Sequence, residues 1–234
     1  MIKLLKDADL YDPEHRGLCD ILLADGRVMA VGPQVREYEG LPGVEVFNLE
    51  GAVTVPGLVD LHVHITGGGG EQGPSSRVPE IVLTQLTLSG VTTALGLLGT
   101  DGITRSQDNL LAKCRALNEE GLTCRMLIGS YQLPSPTLTG SVARDIVAVD
   151  PVVGVKVALS DHRGSSPSAH ELIRLGCDAR LGGILSGKPG IVVAHVGEGR
   201  GMLAPIFQAL EQSDLPAGTI IPTHCERSEA LIGQ

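Results

Sequence analysis

The stretch Pro56-Gly-Leu-Val-Asp-Leu-His-Val-His-Ile-Thr-Gly-Gly-Gly-Gly-Glu-Gln-Gly-Pro74 sets two histidines inside a strand-length apolar run, then follows them with four glycines and one acid. In an extended chain residues i and i+2 project to the same face, so His62 and His64 present their imidazoles side by side. Two readings compete for that pair. Core histidines would each need hydrogen-bond partners, whereas two neutral imidazoles on one face make half a metal site. The glycines let the backbone pass close beside a bound ligand and carry Glu71 over it.

Outward from this point, the run proves to be the first of six. Residues 58–65, 91–98, 123–128, 152–159, 190–196 and 219–222 are apolar almost throughout, and helical stretches between them include 78–88, 104–117 and 202–210. Such runs indicate parallel strands buried on both faces, and β-α units in series form either an open doubly wound sheet or a (β/α)8 barrel. His62, His64, Thr100, Tyr131, Lys156, His195 and His224 all fall at the C-terminal ends of these strands. Those ends converge on one mouth only in a barrel. Residues 1–55 instead read as short strands, with Asp25-Gly26 as the turn of a tight hairpin. The expected fold is α/β: a partial TIM-like barrel, six of eight units, over residues 56–234, preceded by a small β-sandwich-type domain over residues 1–55.

Composition removes several function classes. The chain has 234 residues, 42% hydrophobic but only 2% aromatic, so its core is built from Val, Leu, Ile and Ala. A net charge of −9 without a basic cluster opposes nucleic-acid binding. Five scattered cysteines without a CxxC pair fit a reducing compartment. The charged N-terminus does not read as a signal peptide and no apolar run reaches ~18 residues, so a cytoplasmic protein with no membrane partner is expected.

His195 and His224 each end an apolar run of their own, and chance burial of four imidazoles would require four separate hydrogen-bond solutions. That favours metal. Lys156 lies within Gly154-Val-Lys-Val-Ala-Leu-Ser-Asp161, where a buried ammonium is costly unless paired or neutral. Beside a dication the amine stays unprotonated and can take up carbon dioxide, giving a carbamate able to bridge two cations. A lysine that snorkels to the barrel rim is the alternative.

The motifs Gly96-Leu-Leu-Gly-Thr-Asp101, Ala116-Leu-Asn-Glu-Glu-Gly121, Thr139-Gly-Ser-Val142, Gly154-Val-Lys156, Ser160-Asp-His-Arg163 and Pro222-Thr-His224 join the opening stretch in evenly spaced blocks. Together they resemble the amidohydrolase superfamily and, within it, the bacterial isoaspartyl dipeptidases. The resemblance implies a metallopeptidase with two zinc ions, His62 and His64 on one, His195 and His224 on the other, bridged by N6-carboxylysine at Lys156. A hydroxide shared by the two cations would attack the amide carbonyl. It also implies Tyr131 as the catalytic hydroxyl that steadies the oxyanion, Glu71, Thr100, Arg163 and Arg227 as the shell around a β-aspartyl dipeptide, and a homo-oligomer. Full-length members run about half as long again and supply a catalytic aspartate from an eighth strand. No counterpart stands here, so an incomplete member is expected, fully active only as a longer chain. A cyclic amide hydrolase of the hydantoinase or dihydroorotase type, and a non-catalytic metal-binding remnant, are the competing expectations. A cyclic amide offers no amine to pair with Glu71.

Overall fold

The computed structural model describes all residues, Met1–Gln234, as two compact units, Met1–Gly57 and Leu58–Gln234. In the first, β1 (Ile2–Asp12), β2 (Glu14–Ala24), β3 (Arg27–Val31), β4 (Val44–Asn48) and β5 (Val53–Thr54) form one sheet. Strands β1, β2 and β3 pair antiparallel, while β4 and β5 run parallel to β1. Asp25 and Gly26, at φ 50 and 70, close the β2–β3 turn and set Ala24 opposite Arg27. Positive φ at both central positions supplies the twist that a two-residue hairpin needs. Two small clusters form the core of this unit, one of Leu4, Leu22 and Val35, the other of Ala8, Leu10 and Ile21.

The second unit alternates β6 (Leu58–Val63), α1 (Leu83–Leu88), β7 (Val91–Gly96), α2 (Gln107–Glu119), β8 (Thr123–Gly129), α3 (Val142–Ala148), β9 (Val152–Leu159), α4 (Ala169–Ser186), β10 (Ile191–Val196), α5 (Ala204–Glu211), β11 (Ile220–Thr223) and α6 (Glu229–Ile232). Its six strands form one parallel sheet in chain order, β6 and β11 at the two edges. In a flat sheet those edges would lie about 24 Å apart, five strand spacings. Yet the ring of His62 on β6 stands 4.9 Å from that of His224, just past β11. The sheet is therefore strongly curled, as the expected partial barrel requires. One face carries the main core, where Cys124, Met126, Val155, Val157, Val192 and Ala194 pack with residues of the helices. The other carries Leu95, Leu97, Leu127 and Val193 in a small second cluster.

Several elements differ from expectation. The first helix covers only Leu83–Leu88, because Pro79 disfavours a helical Val78, whose N–H donates instead to Gly68 O at 2.8 Å. The longest helix, α4, lies outside the stretches expected as helical, as do the short α3 and α6: Gly176, Gly182 and Gly183 depress the intrinsic propensity of α4 by ~1 kcal/mol each. Its start was nonetheless legible, since Ser168 and Glu171 form a reciprocal capping box. Finally, β6 is not buried on both faces. Val59 and Leu61 are 59% and 65% exposed on this edge strand, and at the other edge Pro222 costs no ladder bond on its open side.

No helix is long and apolar enough to cross a membrane. Leu117 of α2 is wholly buried in the main core. Leu117→Ala should lower unfolding free energy by roughly 2–5 kcal/mol in a urea titration, since the surrounding strands cannot collapse fully onto the space left.

Candidate active site

Strand alternation places His62, Lys156 and His195 on the face opposite the helix-packed core, because their neighbours Val63, Val155, Val157, Ala194 and Val196 belong to that core. Lys156 has no exposed surface, and its Nζ lies 3.2 Å from Nε2 of His62. The ring centroids run 5.7 Å from His62 to His64, 4.9 Å from His62 to His224, and 4.8 Å from His224 to His195. His64 lies one residue past β6 and His224 one past β11, the latter turned by a left-handed backbone at φ 68. All five residues expected to hold metal are thus gathered at one place.

Their protonation follows from burial. It pushes the Lys156 amine down to about 7, His62 to about 3 and His195 to about 4, and lowers His64 and His224 as well. The imidazoles are neutral at neutral pH and each keeps one lone pair. His64 Nδ1 lies 3.2 Å from Leu97 O, a carbonyl that only accepts, so the proton is on Nδ1 and Nε2 is the free donor atom. Nδ1 of His62 is buried without any partner. An orphaned imidazole nitrogen and a set of neutral nitrogen donors suit zinc. No three His, Cys, Asp or Glu side chains gather around a single point. The four rings instead form a chain, His64–His62–His224–His195, with the Lys156 amine against His62, a donor set spread widely enough to fit more than one cation.

Around this centre lie the residues expected to hold substrate. Tyr131 is buried, its hydroxyl 2.7 Å from Nδ1 of His195. Thr100 donates to Glu71 Oε1 at 3.0 Å, and a small cavity of about 40 Å³ brings His64, Glu71, Thr100 and Tyr131 together. A larger cavity of about 300 Å³ is lined by Asp161, Arg163, Glu198 and Arg227, among others. Arg163 is not free to offer its whole fork. Its Nε and one terminal nitrogen donate to Asp161 at 2.9 and 2.6 Å, leaving Nη1 directed toward Glu71 Oε1 at 3.8 Å.

Three features escaped sequence reasoning. The glycine loop packs closely on its own chain: a Cβ on Gly67 would lie 2.1 Å from Val78 O. Arg105 fixes that loop, donating to Thr66 O, to Gly68 O at 2.9 Å and to Val78 O at 3.1 Å. Nothing in the polar context of Arg105 marks it, and it precedes α2 rather than belonging to it. Asp161 stood inside a recognised motif; its contact with Arg163 is local, two residues along, but its contact with His195 depends on the pairing of β9 with β10.

Among solved structures, the chain superposes with TM-score 0.92 and 45% identity on β-aspartyl dipeptidase from the thermophilic keratin-degrading Fervidobacterium islandicum AW-1, crystallised with β-Asp-Leu, covering 100% of this chain and 61% of that one. This chain is similar throughout to β-aspartyl dipeptidase. The resemblance drawn from its motifs is borne out. D-hydantoinase from a Thermus species, at TM-score 0.54 and 22% identity over 90% of this chain and 43% of its own, shares the fold. Imidazolonepropionase of Yersinia enterocolitica is 25% identical over 231 residues, 90% of this chain and 54% of that protein. No family model matches. The chain therefore spans 61% of the dipeptidase and about half of the imidazolonepropionase.

The depressed Lys156 amine has a consequence for the metal-free protein. Between about pH 7 and the ordinary lysine value of 10.5 the unfolded chain holds a proton at this position that the folded chain does not. The Lys156 contribution to stability therefore rises with pH across that window, by at most ~1.4 kcal/mol per pH unit. Below pH 7 its full cost is present. Denaturant titrations from pH 6 to 10 in carbonate-free buffer should show this slope, and Lys156→Met should flatten it.

Proposed function

We propose that this chain carries the site of a zinc-dependent hydrolase of β-aspartyl dipeptides. The observation that carries the reading is the meeting of four neutral imidazoles and a wholly buried amine on one face of the curled sheet, bordered by Glu71, Arg163 and Arg227. Nitrogen donors in this number, with no thiolate among them, suit zinc. Zinc ions held here would supply Lewis acidity, lowering the pKa of a water molecule and polarising the scissile carbonyl.

The residues of the chain supply the rest. The Lys156 amine, held near neutrality by burial, condenses with carbon dioxide, the proton passing to solvent, and becomes a carboxylate on a long stem. His62 and His64 would hold one cation, His195 and His224 the other. Burial raises the Tyr131 hydroxyl above its ordinary value, so it remains a proton donor able to stabilise an oxyanion. Hydrogen bonds from its own backbone and from Thr100, with Arg163 nearby, hold the Glu71 carboxyl below its ordinary value and keep it ionised for a substrate amine. The remaining Nη1 edge of Arg163 and the exposed Arg227 offer guanidinium groups to the two carboxylates of such a dipeptide. A cyclic amide would leave Glu71 without its amine, which argues against the hydantoinase-type alternative.

Two measurements test this. Lys156→Ala should lower bound zinc, with partial restoration by bicarbonate or short-chain carboxylic acids; an absence of rescue would count against a carbamate. With zinc and bicarbonate present, whatever turnover this chain supports should fall on β-Asp-Leu in preference to dihydroorotate, well below that of a longer chain that supplies the eighth-strand aspartate. Preference for dihydroorotate would overturn the dipeptide reading, and failure to take up zinc would overturn the metallohydrolase reading.

A further inference from the structure

Asp161 is the one buried carboxylate that touches both halves of the site. Its Oδ1 accepts from the backbone N–H and from Nε of Arg163, each at 2.9 Å. Its Oδ2 accepts from Arg163 Nη2 at 2.6 Å and lies 2.9 Å from Nε2 of His195. The other nitrogen of that ring, Nδ1, meets the Tyr131 hydroxyl at 2.7 Å. A carboxylate can only accept, so the proton of a neutral His195 sits on Nε2 and the tyrosine donates to Nδ1. No other neutral tautomer satisfies both neighbours.

The placement of Asp161 is itself built. Ser160 adopts a left-handed backbone at φ 51, turning the chain sharply as it leaves β9. The Ser160 hydroxyl then donates to Met202 O at 2.8 Å, tying the turn to the segment beyond β10. Gly197, directly after β10, packs so close that a Cβ there would lie 2.7 Å from the Asp161 Cβ. The strand carrying His195 and the turn carrying Asp161 are thus locked together.

We infer that Asp161 is a positioning residue that fixes the Nε2–H tautomer of His195, so that Nδ1 is its metal-binding atom, and at the same time orients Arg163 so that only its Nη1 edge faces substrate. One carboxylate thereby couples the metal centre to the recognition of a substrate carboxylate. Oriented second partners of metal-binding histidines typically change metal affinity by ~10–100-fold when removed. The inference rests on the dinuclear reading above, and it reaches the metal-free protein as well.

The test uses the wild-type chain, Asp161→Ala and Asp161→Asn. Long-range proton–nitrogen spectra of the metal-free wild type should show His195 protonated on Nε2; a proton on Nδ1 would overturn the inference directly. Chelator competition should show one of the two zinc sites weakened ~10–100-fold in Asp161→Ala, and calorimetry should show weaker binding of L-aspartate. Asparagine has a single acceptor oxygen, so Asp161→Asn should lose one of these two properties and keep the other. A purely structural role would lower the melting temperature of the metal-free variants and leave zinc stoichiometry and the His195 tautomer unchanged. Two equally tight zinc sites in wild type and both variants would overturn the role of Asp161 alone. A wild type that takes up no zinc would overturn the dinuclear site and the inference together.

Discussion

Everything at this site depends on an amine that the fold keeps away from water. Lys156 sits at the centre of the curled sheet with no carboxylate near its Nζ, and its one polar contact is the imidazole of His62. Without a counter-ion, dehydration favours the neutral amine, and the same dehydration keeps the surrounding imidazoles neutral. The pocket is in consequence a concentration of lone pairs with little positive charge of its own. Polar atoms gathered in this way are unfavourable by themselves, and the unpartnered Nδ1 of His62 is a direct sign of it. Cations are the groups that would satisfy them, and a carboxylate formed on Lys156 would balance the charge those cations bring.

The curl of the sheet makes that concentration possible. His62 and His64 come from one edge, His224 from the other, and Lys156 and His195 from strands between. Stored in a flat sheet, these side chains would be spread along an edge and could not share a ligand. The face toward the helices is filled by Val, Leu, Ile and Met, which fixes the strands and leaves the other face for chemistry. Loops complete the arrangement: Arg105 pins the glycine loop that carries Glu71, and Ser160 and Gly197 hold Asp161 against His195.

Much of this was readable in one dimension. Apolar runs of strand length gave the six parallel strands to within two residues at their ends, and a His-x-His pair gave the first two donors. The helices were less legible. In α4 the glycines that weaken its propensity are those that let it pack closely, as where a Cβ on Gly183 would lie 2.7 Å from the Gly190 Cα, so the local signal and the tertiary requirement point in opposite directions. In the segment before α1, Pro79 overrides an otherwise helical pattern.

By itself the sequence determined which residues could take part: hydrophobic periodicity is a local property, and it decides which side chains leave each strand toward the helices and which toward the opposite face. The tertiary structure alone decided how they meet. Whether Arg163 offers two edges or one, which nitrogen of His195 carries the proton, and what holds the glycine loop are set by Asp161, Tyr131 and Arg105, partners 2 to 64 residues away in the chain. Hydrogen bonds are directional and short, so the outcome depends on where the curled sheet places atoms to within a fraction of an ångström, and no pattern of residue types encodes that distance.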